Sequence, residues 1–182
     1  MKINNDTTVC FTAHRPHLLY GYNKKTSGNQ KIIRVLYNEI VRHIKEYGID
    51  TFISGMALGG DTWAAEIVLK LKSEYPNIKL VCAIPCFRQE IKWKEYDRMF
   101  YHAILDRSDY VHYVSKKEYT KKCMWNRDKW MVNNSKYVIA VYNGEPWTGT
   151  GLTYNYAVKK NRIITRIDPY KLGGFFNGYK NY

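Results

Sequence analysis

The chain has no apolar run approaching the roughly 18 residues that a membrane-spanning helix needs, and its opening stretch MKINNDTTVCFTAHRP lacks an apolar segment ending in a small-residue cleavage site. No membrane partner is expected, and the chain reads as cytoplasmic. Cysteine is sparse: Cys10, Cys82, Cys86 and Cys123 form no C-x-x-C pair, so buried thiols are expected in place of a metal site. There is no H-x-x-x-H pair, no Cys/His dyad and no metal-spaced set of carboxylates. No metal, cofactor or catalytic residue is therefore assigned. Acidic residues are also few, with 16 Asp and Glu against 29 Lys and Arg and a formal net charge of +13. That balance favours anionic partners, either nucleotides or nucleic acid. An AT-rich coding genome would produce the same Lys, Asn, Tyr and Ile richness without any anionic partner.

What is present is ordinary globular composition, 45% hydrophobic and 25% charged over 182 residues, enough for one buried core. A single domain is expected over residues 1–168. The tail 169–182, PYKLGGFFNGYKNY, is rich in Gly and aromatics, and is expected to pack on the surface or across a subunit boundary. Together with the many tyrosines, it points to a homo-oligomer.

Strand-like runs alternate with helix-length segments. TTVCFTA (7–13), DTFISG (50–55), IKLVCAIP (78–85), YVHYVS (110–115), KYVIAVYNG (136–144) and RIITRID (162–168) read as strands. Helices are expected over 29–48 with Ile32, Leu36, Ile40 and Ile44 on one stripe, over 62–74, over 88–108 with Ile91, Met99 and Ile104 among its apolar positions, over 124–134 and over 152–161. The alternation predicts an α/β, Rossmann-like fold: a mostly parallel sheet with helices on both faces.

In such sheets ligands bind outside the carboxyl ends of the strands, and the unusual residues fall there: TAHRP, SGMALGGD, PCFRQE and NGEPWTGTGLT. These loops supply the candidate ligand-binding residues Thr12, His14, Arg15, Ser54, Gly55, Met56, Gly59, Asp61, Gln89, Asn143, Gly149, Thr150, Gly151 and Thr153. Asp61 stands where a helix N-cap belongs, and its charge argues against a phosphate there. A sugar hydroxyl or a base edge suits Ser54 and Asp61 better. TGTGLT opens its helix without an acid, so its N–H groups remain free for an anion, with Arg15 and Arg127 as partners for a phosphate. Trp63, Trp93 and Trp147 are candidates to stack on a base, although each is the more ordinary core or interface residue. At least one of Trp125 and Trp130 should be buried.

The blocks FTAHRPHLL, SGMALGGDTWAAE, QEIKW, NRDKWMVNNSKYVIAVYNG and TGTGLTYNYA, in this order over residues 10–165, resemble the YpsA/YoqJ-like branch of the SLOG superfamily, which includes the SMF/DprA and LOG proteins. The resemblance implies a nucleotide-derived ligand held by Thr12, His14, Arg15, Ser54, Gly55, Gly59, Gly149, Thr150 and Thr153. Two positions depart from the family pattern: Ala13 stands for a Gly, and Thr148-Gly149-Thr150 for Gly-Gly-Thr. LOG-type phosphoribohydrolases carry a catalytic Glu in the loop comparable to TGTGLTYN, where this chain has no carboxylate. Glu90 and Asp97 are the substitutes to consider.

The leading expectation is therefore non-catalytic capture of a phosphorylated, nucleotide-derived small molecule, an ADP-ribose-type or cyclic nucleotide signal. With no effector unit in the sequence, a sink is favoured over a sensor, as a phage countering bacterial immune signalling would need. The alternatives are a nucleotide phosphoribohydrolase-like enzyme and a single-stranded DNA-binding protein of DprA type. The second is weakened by Lys and Arg residues scattered among NKK, SKK, TKK and VKKN.

Overall fold

A computed structural model describes residues 1–172, so most of the Gly/aromatic tail lies outside the described residues. Six strands, β1 (Thr8–Ala13), β2 (Thr51–Ser54), β3 (Lys79–Ile84), β4 (Tyr110–Tyr113), β5 (Tyr137–Val141) and β6 (Ile163–Ile167), alternate with helices. The helices are α1 (Ser27–Tyr47), α2 (Gly60–Leu71), α3 (Glu95–Arg107), α4 (Lys121–Asn133) and α5 (Gly149–Lys159). Every neighbouring strand pair is parallel, in the order β4-β3-β2-β1-β5-β6. The fold is Rossmann-like α/β, and the chain leaves β1 in one direction through β2, β3 and β4, then in the other through β5 and β6.

Strand β1, TVCFTA, is buried along its whole length, because helices cover both faces of a parallel sheet. Its side chains alternate. Val9 and Phe11 meet Phe52, Leu80 and the apolar stripes of α1 and α2, whereas Cys10 packs with Ile53, Val81, Val138, Met131 of α4 and Ala157 of α5. All four cysteines are buried free thiols. Helix α1 starts at Thr26, whose hydroxyl accepts the Asn29 N–H, and stops at Gly48 in the left-handed region. None of the described helices is long and apolar enough to cross a membrane.

The third helix begins seven residues later than its sequence pattern suggests. Arg88 adopts φ 56°, which a helix cannot pass through, and Lys94 is still extended when it caps α3. Helix α3 consequently buries Tyr101 and Ile104 while Ile91 and Met99 stay exposed. Helix α5 instead starts earlier than expected, at Gly149, which brings Gly149 and Thr150 into its first turn.

Beyond β6 the chain turns back on the loop after β1. The Tyr170 hydroxyl donates to the Leu18 carbonyl at 3.0 Å, the Tyr20 hydroxyl donates to the Pro169 carbonyl at 3.2 Å, and the two rings meet edge to face.

Candidate functional site

The strand order reverses between β1 and β5, and outside their carboxyl ends lies a cavity of about 280 Å³, the position at which an open α/β sheet takes ligands. Four chain segments wall it. The end of β1 brings Thr12, His14 and Arg15; α2 brings Asp61; α4 brings Arg127 and Asp128; the start of α5 brings Thr148, Gly149, Thr150 and Thr153.

The first turn of α5 is shaped as an anion cradle. Thr148 caps the helix by accepting the Gly151 N–H at 3.0 Å, which leaves the N–H groups of Gly149 and Thr150 without partners among the described residues. The Thr153 hydroxyl is already committed, donating to the Gly149 carbonyl at 2.9 Å. A Cβ on Gly151 would strike the carbonyls of Glu145 and Pro146, whereas one on Gly149 meets nothing within 4 Å. Gly151→Ala is thus expected to cost about 1–3 kcal/mol of stability and Gly149→Ala less than about 0.5 kcal/mol in urea unfolding. Equal losses would mean that the loop does not press on the helix start.

Arg15 is half-buried and faces the cradle with no hydrogen bond or ion pair among the described residues. Burial lowers its pKa, and Asp61 counteracts that. Arg127 is otherwise engaged. Only 4% exposed, it donates through Nη1 to the Gly55 carbonyl and sets Nε 2.7 Å from Asp128 Oδ1. The Nε–H nonetheless makes no well-angled hydrogen bond, so that contact is charge pairing. Gly55 must be glycine because Arg127 fills the space of its Cβ. Ser54, expected at the ligand, is spent on the same turn: its hydroxyl donates to the Asp61 carbonyl at 2.9 Å and accepts the Met56 N–H at 3.1 Å.

Asp61 differs from its expected role. The N-cap of α2 is Gly59, with no side-chain cap bond, and Asp61 sits in the first helical turn with its carboxylate beside the cavity. It is 5% exposed, and Oδ1 is enclosed without a hydrogen-bond partner. Burial pushes its pKa from 3.8 up to about 6, against the pull of Arg127 and then Arg15.

His14 is held by Asn143. Asn143 Oδ1 accepts the Glu145 N–H at 3.0 Å, which identifies it as the oxygen, and lies 2.7 Å from His14 Nε2. The Asn143 backbone N–H also points at Nε2, at 3.2 Å, so the two contacts call for opposite tautomers, and in either one Nδ1 is buried without a partner among the described residues. Burial lowers the His14 pKa and keeps the ring neutral.

The remaining candidates do not line this cavity. Buried Met56 adopts φ 52°, and Gln89 supports it by donating through Nε2 to the Met56 carbonyl at 3.4 Å and to the Tyr101 hydroxyl at 3.1 Å. Gly59 and Trp63 line a separate cleft of about 570 Å³. Trp63 is 5% exposed and belongs to the core, so it presents no free face for stacking. Trp93 meets Tyr101 edge to face and borders an outer cleft of about 480 Å³ with Arg15, Tyr22, Lys92, Lys94 and Asp97. Trp147 is 90% exposed and lines neither cleft. Trp125 and Trp130 are half-buried, packed on Tyr156 and His112. Glu90, considered as a substitute acid, pairs with His102 at 3.4 Å in a different cleft. Asp128 was not anticipated. Its position beside Arg127 in NRDKW was the available signal.

Comparison with known proteins agrees with this fold. The family model described as YspA SLOG family matches residues 9–172. A UPF0398 protein of Brevibacillus brevis is 34% identical over 166 residues, covering 88% of both chains, and one of Bacillus cereus is 28% identical over 156 residues, covering 85% of this chain and 84% of that one. Among solved structures, DNA processing protein A of Streptococcus pneumoniae superposes with a TM-score of 0.55 at 16% identity, covering 94% of this chain and 52% of that one. The Helicobacter pylori protein of the same name, studied for its single-stranded DNA binding mode, gives 0.59 at 15% identity, covering 90% and 66%. This chain thus shares their fold and spans about half to two thirds of their length.

Proposed function

The chain belongs to the YpsA (YspA SLOG) family, and from that premise we propose that it binds a phosphorylated, nucleotide-derived small molecule at the β1/β5 cavity without transforming it. The observation that carries this reading is the pair of unpartnered N–H groups at Gly149 and Thr150, on the positive end of α5, sharing one cavity with the unpaired Arg15. A helix start alone contributes about 0.3–1 kcal/mol to anion binding. A guanidinium across from it adds charge-assisted hydrogen bonds, which are about twice as strong as neutral ones.

The inner cavity is at the small end of the usual range for ligand sites, roughly 300–1,000 Å³. Arg15 and His17 also line the outer cleft, so a larger ligand of ADP-ribose or cyclic nucleotide type would extend past them toward Tyr22, Trp93, Lys92 and Lys94. Capture is favoured over hydrolysis because Asp128 is ion-paired to Arg127 and residues 148–155, which open α5, carry no carboxylate, leaving Asp61 as the one unpaired acid among the described residues that line the cavity. Such a protein would sense or sequester its ligand. Single-stranded DNA presents the same phosphodiester chemistry, and the structural neighbours make it the second reading.

Gly149→Pro tests the cradle. Thr148 is extended (φ −82°, ψ 159°), as a residue before proline must be, Gly149 occupies the first helical position, where proline is favoured, and its Cβ direction is open. The variant should keep or raise the melting temperature and lose about tenfold or more in affinity for nucleotide ligands, measured calorimetrically, with bound ligand recovered intact by mass spectrometry. Unchanged affinity would remove α5 from the site, and a cleaved product would replace capture with catalysis.

A further inference from the structure

We propose that this cavity selects ribose over deoxyribose, with Asp61 accepting a hydrogen bond from one hydroxyl and His14 Nδ1 pairing with the other hydroxyl of a ribose whose 5′-phosphate lies on the start of α5. The proposal rests on the phosphate placement above and adds the identity of the sugar.

Two buried polar atoms lie at one cavity without a partner among the described residues. Asp61 Oδ1 and His14 Nδ1 are enclosed and unpartnered, in side chains 95% or more buried. Buried acceptors are nearly always satisfied in native structures, and an enclosed carboxylate without donors is costly. Of the hydroxyls and cations nearby, Ser54, Thr62, Thr153 and Arg127 are committed elsewhere, whereas the Thr12, Thr150 and Arg15 side chains have no partner among the described residues. Ser54 donates to the Asp61 main-chain carbonyl, Thr62 to the Gly59 carbonyl and Thr153 to the Gly149 carbonyl. Arg127 serves Gly55 and Asp128, and neither Arg127 nor Arg15 forms an ion pair with Asp61. A ligand in the cavity would supply the missing partners.

A donor-bearing group is needed within the same 280 Å³ as the anion cradle. In a 5′-nucleotide the ribose is directly attached to the phosphate, whereas the base lies farther out, toward the cleft shared through Arg15. The 2′- and 3′-hydroxyls supply an O–H donor for Asp61 and a second group that can donate to or accept from His14 Nδ1. A second phosphate is disfavoured at Asp61 by like charge, and a deoxyribose would leave one of the two buried atoms without a partner. The arrangement therefore also selects against DNA.

The test is calorimetric titration of the whole chain with AMP, dAMP and inorganic phosphate, for wild type and Asp61→Asn. AMP should bind about 10- to 100-fold more tightly than dAMP, the size of one hydrogen bond to a charged group. Asp61→Asn should bring AMP down to the dAMP level while phosphate binding is kept or strengthened, since a negative charge has gone. The wild-type comparison needs no variant. Equal affinities for AMP and dAMP would overturn the ribose proposal. If binding in that case is still lost in Gly149→Pro, the phosphate reading stands. Binding of phosphate alone also overturns the ribose proposal, and binding of none of the three overturns both.

Discussion

Arg127→Ala is expected to destabilise the protein by about 3–5 kcal/mol, the cost of removing one partner from a buried charge network. Three groups lose their counterpart at once. The Gly55 carbonyl loses its donor, Asp128 loses its ion pair, and Asp61 loses the larger of the two charges that hold its pKa down. In a chain of this size 1 kcal/mol moves the melting temperature by about 2–4 °C, so a fall of about 6–20 °C should appear in thermal unfolding. Arg127→Lys should recover only part of it, because one ammonium cannot span both the Gly55 carbonyl and the Asp128 carboxylate. A loss of less than about 1 kcal/mol for Arg127→Ala would show that the network is not what holds β2 to α4.

Arg127 also marks the boundary of what the sequence makes legible. The strands could be read because a parallel strand buried on both faces, as in TVCFTA, must be almost wholly apolar or small. The four strand-end loops could be read because glycine, histidine and arginine interrupt that pattern. Arg127, however, meets Gly55 across 72 residues of chain, and no spacing rule signals that contact. The same holds for Asp61, whose place after two glycines suggests a cap. The chain enters α2 two residues earlier, through Gly59 at φ 100°, and this sets the carboxylate beside the cavity. The start of α3 departs from the amphipathic pattern for a local reason, since an arginine in the left-handed region leaves no mark in that pattern. Trp63 shows the converse: its position in a loop-to-helix junction suits stacking, yet tertiary packing buries it.

The expected behaviour of Asp61→Asn combines both themes, because it should stabilise the protein while impairing its site. Burial raises the Asp61 pKa from 3.8 to about 6, so between those values the folded state binds a proton that the unfolded state has released. Folding then gains stability as pH falls through about 6 toward 4, and the charged form carries its full penalty above about pH 6. At about 1.4 kcal/mol per pH unit, that penalty is about 3 kcal/mol at pH 7–8. Asparagine resembles the protonated acid in shape and charge, so the variant should be more stable than wild type by about 1–3 kcal/mol at pH 8, with the difference vanishing near pH 4. Denaturant unfolding of both proteins at a series of pH values checks this directly. If the variant is instead less stable at pH 8, the arginines outweigh burial and Asp61 is an ordinary structural ion-pair partner. If it is more stable, the chain retains a destabilising carboxylate, which is the pattern of a residue kept for binding at the expense of stability.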